Sequence, residues 1–196
     1  MNKPSQEINR YITHPEQLSA PLMILGGAYS GKSELGNRAL LSEMPAVVIG
    51  TSLETDTQTK LRINELKSNR PDNWTLVECP KELPTVVDQA LQQSPQVLID
   101  SINQHIATAI IERMESYSID QVAAQIESEI KVLIEVIGSH SDKRVVIVSS
   151  EVGCSPPPDR NLAQVFRQLT SKTNTKLASM SKHMIFSFSG VALQIK

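Results

Sequence analysis

The chain has 196 residues, of which 40% are hydrophobic and 20% are charged, and this composition excludes a disordered chain. Lys plus Arg total 19 against 21 for Asp plus Glu, so no basic excess indicates a nucleic-acid partner or an anionic membrane surface. No apolar run approaches the roughly 20 residues that span a bilayer, and residues 1–20 lack the apolar core of a secretory signal. We therefore expect a cytoplasmic α/β protein.

The start of the chain differs in character from the rest. Residues 1–20 are polar and include Pro4 and Pro15, which limit helix length, so we expect either a poorly ordered tail or a turn docked on the surface. From residue 21 to residue 196 we expect a single domain.

Short β-type apolar runs then alternate with longer amphipathic stretches, which is the pattern of βαβ units and a mostly parallel sheet. The first six runs predict strands at residues 22–25, 47–49, 74–77, 97–99, 145–148 and 184–188. A last run at 191–195 follows Gly190 and predicts an antiparallel hairpin with the run before it.

Helical spacing is clearest over residues 119–137 and 161–177. In the second stretch, apolar and small residues recur every three or four positions, which places them on one face of a helix. That face consists of Leu162, Phe166, Leu169, Thr173 and Leu177.

Small polar or acidic residues follow five of the predicted strands. In an open parallel sheet such positions gather along one carboxyl edge, where ligands bind. We predict that Thr51, Ser52 and Glu78 contribute to a nucleotide site at this edge. The alternative is that these strands simply end in polar loops.

The most specific motif follows the first strand and fits G-x4-G-K-[ST], the pattern of a phosphate-binding P-loop. Its glycines permit the turn that presents backbone N–H groups to phosphates, and the N-terminus of the following helix adds a partial positive charge. The sequence therefore predicts a P-loop domain that binds a nucleoside triphosphate, ATP or GTP, through the whole motif. Its residues are Gly26, Gly27, Ala28, Tyr29, Ser30, Gly31, Lys32 and Ser33.

Catalysis in such a loop needs a cation at the terminal phosphates and a metal site. Lys32 is the predicted catalytic cation, and the Ser33 hydroxyl is a predicted ligand of Mg²⁺. The buried strand at 97–99 ends in Asp100, which we predict to be the carboxylate on the metal side. Glu78 and Glu151, also at strand ends, are the alternatives.

Basic residues cluster at Arg62, Lys67 and Arg70. This segment is either a solvated helix face or a lid that closes over the triphosphate, in which case Lys67 contacts the nucleotide.

The histidines and cysteines lie in no motif, and we expect ordinary thiols and surface or loop histidines. They are Cys79, Cys154, His14, His105, His140 and His183.

Several segments, taken in order, resemble the bifunctional adenosylcobinamide kinase/adenosylcobinamide-phosphate guanylyltransferase family of cobalamin biosynthesis. The resemblance covers residues 22–196, nearly everything after the N-terminal extension. The segments are ILGGAYSGKSE from residue 24, IGTS from 49, RPDNWTLVE from 70, LIDS from 98, SSEVG from 149, LAQVFRQLTSKTNTKLA from 162 and SGVALQIK from 189.

The resemblance implies a RecA-like P-loop α/β fold and a homo-oligomer. It also implies ATP- or GTP-dependent phosphorylation of the aminopropanol hydroxyl of adenosylcobinamide, followed by GMP transfer onto that phosphate. The corrinoid substrate comes from the resemblance alone, since no residue of the chain identifies such a ligand.

The chain departs from the family pattern in the part that serves guanylyl transfer. The family carries a histidine after its Arg-Ile pair that becomes guanylylated, whereas residues 62–67 read RINELK. A family Arg and a family Asp are replaced by Gln164 and Gln168, while Glu151, Arg167 and Asn174 are retained. Two alternatives therefore stand beside the kinase: a degenerate nucleotide-binding paralogue with a regulatory or assembly role, and a kinase of another small hydroxyl substrate.

Overall fold

The computed structural model describes residues 11–52, 71–79, 81–154, 156 and 158–196. The predictions for Arg62, Lys67 and Arg70 lie outside these residues. The strands are β1 (Leu22–Gly26), β2 (Ala46–Gly50), β3 (Trp74–Glu78), β4 (Gln96–Asp100), β5 (Arg144–Ser150), β6 (His183–Phe188) and β7 (Val191–Gln194). The α-helices are α1 (Lys32–Arg38), α2 (Leu83–Gln93), α3 (Ile102–Arg113), α4 (Ile119–Ser139) and α5 (Asn161–Met180).

The seven strands form one sheet in the order β3-β2-β4-β5-β1-β6-β7. All neighbouring strands are parallel except β6 and β7, which form the predicted antiparallel hairpin. All seven predicted strands are confirmed, with ends shifted by a residue or two.

The middle residues of β1, β2, β4 and β5 are apolar at consecutive positions because helices or loops cover both faces of the sheet. On one face, α2 to α5 enclose the larger core, which includes Ile106, Ile130 and Leu177. On the other face, α1 encloses a smaller core around Leu35 and Val148. The edge strand β3 is only half-buried.

Residues 11–18 lie against the second face of the sheet. Tyr11 forms a β-bridge with Leu193, and Pro15–Gln17 form a short 3₁₀-helix whose Pro15 is buried. The Arg144 guanidinium donates to the Pro15 carbonyl over 3.3 Å, so the start of β5 is linked to this segment.

Helix α4 begins with a capping box, in which the Ser118 hydroxyl accepts from the Gln121 N–H and the Gln121 side chain accepts from the Ser118 N–H. The predicted face of α5 is buried only in part: Leu169, Thr173 and Leu177 are buried, whereas Leu162 is 40% exposed. The helix is longer than the core that it covers, so its first turn projects into solvent. None of the helices in the described part of the chain combines the length and apolar character needed to cross a bilayer.

Candidate nucleotide site

The P-loop connects the end of β1 to the start of α1 and makes a close turn. Gly26 permits this turn because a Cβ there would lie 2.4 Å from Ser30 Oγ and 2.5 Å from the Ser187 carbonyl oxygen. Gly31 has φ 88°, which is the left-handed region that favours glycine. The motif therefore needs glycine at both positions for the shape of its backbone.

Contacts from within the loop and from β6 fix its conformation. The Lys32 ammonium donates to the Gly27 carbonyl over 2.8 Å, and the Ser187 hydroxyl donates to the Ser30 carbonyl over 2.6 Å. The Glu151 N–H donates to the Gly26 carbonyl over 3.1 Å, linking the loop to the end of β5. The Ser30 hydroxyl is buried and has no hydrogen-bond partner among the described residues. The loop is thus held in shape and retains a polar group with spare hydrogen-bonding capacity.

The structure brings Ser33 and Asp100 together at this loop. Only β5 lies between β1 and β4, and the Ser33 hydroxyl donates to Asp100 Oδ1 over 3.2 Å. Two oxygen side chains of this kind fit Mg²⁺, which prefers oxygen ligands and keeps several waters. No group of three or more His, Cys, Asp or Glu side chains suited to a metal occurs among the described residues, so the pair is not part of a larger metal cluster.

Thr51 supports Asp100 through the backbone. Its hydroxyl donates to the Ser101 carbonyl over 2.6 Å and accepts from the Ser101 N–H over 2.9 Å. The Thr51 side chain is fully buried, so its hydroxyl holds the residue after Asp100 in place and faces no open site. Ser52, the next residue, is half-buried beside it.

The two alternative carboxylates lie in different surroundings. Glu78 ends β3, and three strands separate β3 from β1, which puts the two strands about 19 Å apart at about 4.8 Å per neighbouring pair. Glu151 lies next to the P-loop, but its Oε1 accepts from the Gly153 N–H over 2.5 Å. Arg167 donates to the Gly153 carbonyl over 2.8 Å. Of the three acids, Asp100 is the one that contacts Ser33.

Sequence reasoning missed Asn103, and it named Asn174 only as a retained family residue, although both shape this edge. Asn103 accepts from the Ser150 N–H over 2.9 Å, and Asn174 donates to the Ser150 carbonyl over 3.0 Å, so two helices clamp the end of β5. Ser187, which holds the P-loop, was also missed. Asn103 and Ser187 belong to no local motif, and the partners of all three residues lie far from them in sequence, so the contacts themselves could not be predicted.

The prediction of surface or loop histidines is wrong for His105. Its side chain is 1% exposed, and its Nε2 lies 3.0 Å from Glu129 Oε1. Arg113 donates to Glu129 Oε2 over 2.6 Å. Burial by itself raises the pKa of Glu129, but the hydrogen bonds from His105 and Arg113 hold that pKa below its ordinary value. His105 is buried because helix α4 packs over α3 and supplies this carboxylate.

The two cysteines do not form a disulfide with each other. Burial raises the pKa of Cys79 to about 11, so its thiol stays protonated at neutral pH. Cys154 is exposed, and both thiols are free.

The chain matches known proteins over nearly its whole length. A family model described as cobinamide kinase / cobinamide phosphate guanyltransferase matches residues 22–195. The bifunctional adenosylcobalamin biosynthesis protein CobU of Salmonella typhimurium is 29% identical in an alignment of 181 positions that covers 89% of this chain and 99% of that protein. CobU of Escherichia coli is 24% identical over 180 residues, with the same shares of 89% and 99%.

A comparison with solved structures bears on the fold alone. A prototypical ATPase from the type III secretion system of pathogenic bacteria superposes with a TM-score of 0.53 at 13% identity, covering 84% of this chain and 50% of that chain. This likeness confirms the predicted RecA-like P-loop architecture. The family itself is shown by the family model, whose match over residues 22–195 takes in most of the chain: the chain belongs to the cobinamide kinase/cobinamide phosphate guanyltransferase family.

Proposed function

We propose that the protein uses ATP or GTP with Mg²⁺ to phosphorylate the aminopropanol hydroxyl of adenosylcobinamide in cobalamin biosynthesis. The observation that carries this proposal is the 3.2 Å contact between Ser33 and Asp100 beside Lys32, at the carboxyl edge of the sheet. It is supported by the match of the chain to the cobinamide kinase/cobinamide phosphate guanyltransferase family. The proposal also holds that the protein is a cytoplasmic homo-oligomer. Sedimentation of the purified protein would test whether it assembles.

The P-loop supplies the charge stabilisation that phosphoryl transfer needs. Backbone N–H groups at the start of α1 and the Lys32 ammonium carry positive charge toward the phosphates. Lys32 has three N–H donors and uses one on the Gly27 carbonyl, so the loop holds the ammonium close to the phosphate position. Ser30 adds a buried hydroxyl with spare hydrogen-bonding capacity. These groups are fixed before the ligand binds, which makes them effective for stabilising a transition state.

Ser33 and Asp100 are the residues that would hold Mg²⁺. When bound, Mg²⁺ neutralises charge on the phosphate oxygens of the nucleotide. Thr51 fixes the backbone after Asp100, and β5 sets the distance between the P-loop and the acid. The protein thereby keeps both metal-side oxygens in position without help from a ligand.

Guanylyl transfer through a covalent histidine adduct is not part of this proposal. A phosphoramidate needs a nucleophilic imidazole, and residues 62–67 contain none. His105 is the histidine nearest to Asp100 in sequence, but it is buried against Glu129 and is therefore a poor candidate for attack on a nucleotide.

A second candidate function follows from the same departures. The missing histidine and the replacements at Gln164 and Gln168 favour a paralogue that binds nucleotide in a regulatory or assembly role. A kinase of another small hydroxyl substrate would keep Lys32, Ser33 and Asp100 and change only the acceptor.

One assay separates these functions. The purified protein is incubated with Mg²⁺, ATP or GTP, and adenosylcobinamide, and the corrinoid products are resolved by mass. A product heavier by one phosphate supports the kinase, and its absence from Lys32→Ala assigns it to this site. Nucleotide binding without a phosphorylated corrinoid contradicts the proposal and favours the paralogue or the kinase of another substrate. A corrinoid carrying GMP restores the full bifunctional activity.

A further inference from the structure

Tyr29 has an unusual position for an aromatic side chain. It is 85% exposed, which is the highest value for a large apolar side chain among the described residues. Its phenol makes no hydrogen bond to any residue in the described part of the chain. Aromatic rings normally bury much of their surface, so a ring held out in solvent at a ligand site is available for contact with that ligand.

The backbone of Tyr29 is also unusual. Its φ is 56°, in the left-handed region that non-glycine residues seldom occupy and that is an outlier for a bulky residue. Glycine or asparagine would adopt this conformation at lower cost. Strained residues of this kind cluster at ligand-binding and catalytic sites, and Tyr29 lies within the P-loop.

The loop on both sides of Tyr29 is anchored. Two positions before it, the Gly27 carbonyl accepts from Lys32, and directly after it the Ser30 carbonyl accepts from Ser187. The ring is therefore presented from a fixed base, three residues before Lys32. A rigid aromatic residue costs little conformational entropy when it packs against a ligand.

We propose that Tyr29 is a substrate-contact residue whose ring stacks on a planar ring of a bound substrate. The inference rests on the proposed function, which supplies two such rings: the purine of the nucleotide and the corrin of the acceptor. A flat π-face suits either, because stacking on an aromatic side chain needs no specific hydrogen-bond pattern.

The test uses two substitutions that separate the ring from the backbone. Tyr29→Phe keeps the ring, and Tyr29→Asn removes it while accepting the left-handed conformation. Tyr117→Asn, at a tyrosine that is 47% exposed between α3 and α4, is the control. Thermal melting shows that each variant is folded. Calorimetry gives the Kd of ATP, GTP and inorganic tripolyphosphate, and steady-state kinetics gives the KM of adenosylcobinamide.

We expect Tyr29→Asn to weaken one planar ligand by at least about five-fold, and Tyr29→Phe to stay within about two-fold of the wild type. Tripolyphosphate, which has no ring, should bind all variants equally. A weaker nucleotide Kd identifies the purine as the stacked ring, whereas a raised KM with an unchanged nucleotide Kd identifies the corrin.

Unchanged binding of both planar ligands by Tyr29→Asn would overturn this inference and leave the proposed kinase intact. Equal losses for tripolyphosphate and nucleotide would also overturn it, because the effect would then lie in the shape of the loop. Failure of the wild type to bind tripolyphosphate and nucleotide alike would remove the proposed function and this inference together.

Discussion

Two groups of polar side chains that lie largely out of solvent invite comparison: the P-loop group of Ser30, Lys32 and Ser33, and the α3–α4 group of His105, Arg113 and Glu129. In the α3–α4 group, both oxygens of the Glu129 carboxylate accept from a side chain of α3. In the P-loop group, the Ser30 hydroxyl has no partner in the described part of the chain, and the group lies at the carboxyl edge of the sheet. His105 Nδ1 likewise has no partner among the described residues, but its imidazole is 1% exposed and is enclosed between α3 and α4.

The difference teaches that burial of polar residues does not by itself mark a binding site. A carboxylate whose oxygens are already paired fixes the packing of two helices and offers little to a ligand. Polar groups that keep hydrogen-bonding capacity at an accessible edge can bind one. Substitutions in the P-loop group should therefore change activity, whereas those in the α3–α4 group should change stability.

The largest effect is expected from Lys32→Ala. Removal of the ammonium leaves the charge on the transferred phosphate uncompensated, so the phosphotransfer rate should fall by about 100-fold or more. Lys131→Ala, which removes a lysine that is 76% exposed on α4, is the matched control and should keep the wild-type rate. Retention of most activity by Lys32→Ala would show that the P-loop is not the site of transfer.

Asp100→Asn should have the next largest effect. An amide cannot supply the charge that a carboxylate gives to Mg²⁺, so we expect the rate to fall by about 10-fold and the Mg²⁺ concentration for half-maximal rate to rise. Titration of the rate with Mg²⁺ measures both quantities. Glu78→Gln and Glu151→Gln are the comparison variants, and an equal or larger shift in either would mean that Asp100 is not the metal-side acid.

Glu129→Gln should lower the free energy of unfolding by about 2 kcal/mol, because it weakens two hydrogen bonds to a charged carboxylate that is mostly buried. Urea denaturation measures the change, and the rate per folded molecule should stay the same. Glu135→Gln on the same helix removes an exposed pair with Lys131 and should cost less than about 0.5 kcal/mol. A loss of activity in folded Glu129→Gln would break the distinction between the two groups.

The Glu129 carboxylate also makes the stability of the fold depend on pH, and the sign of this dependence is definite. The pKa of Glu129 is lower in the folded protein than its ordinary value of 4.5, so ionised Glu129 stabilises the fold. This contribution is complete above pH 4.5 and is lost as the pH falls through the folded pKa. The stability difference between wild type and Glu129→Gln should therefore shrink in acid, and a difference that widens there would contradict the assignment.

The smallest effect is expected for His105→Ala tested with labelled GTP. Since His105 is enclosed by α3 and α4, neither the wild type nor this variant should form an acid-labile guanylyl-enzyme. Kinase activity per folded molecule should survive the substitution, although the variant loses a partner of Glu129. His14→Ala, at an exposed histidine, is the control. A covalent GMP label that disappears in His105→Ala would place this histidine in the transfer reaction.

Much of the architecture could be predicted from the sequence because its signals are local. A run such as 97–99 is apolar at every position since β4 lies inside the sheet, and the glycines of the P-loop reflect contacts within a few residues. The partners of His105 could not be predicted. Glu129 is 24 residues away on another helix, and only the packing of α4 on α3 brings them together.

The exposed position of Leu162 shows another limit of prediction from the sequence, which concerns burial. Periodicity correctly indicates that Leu162 shares a helical face with Leu169 and Leu177. How far the core extends beneath that face depends on where α5 lies over the sheet, and the spacing of apolar residues carries no such information.

The contact between Ser187 and the Ser30 carbonyl gives β6 a part in the candidate nucleotide site. β6 pairs with β1 along its length, and Ser187 reaches from it to the backbone of the phosphate loop. Deletion of residues 183–196 would therefore remove the hydrogen bond to the Ser30 carbonyl, even though every residue of the glycine-rich motif would be present. In protein engineering terms, the C-terminal hairpin is a poor place for deletions, and affinity tags fused beyond it need a spacer that leaves β6 undisturbed.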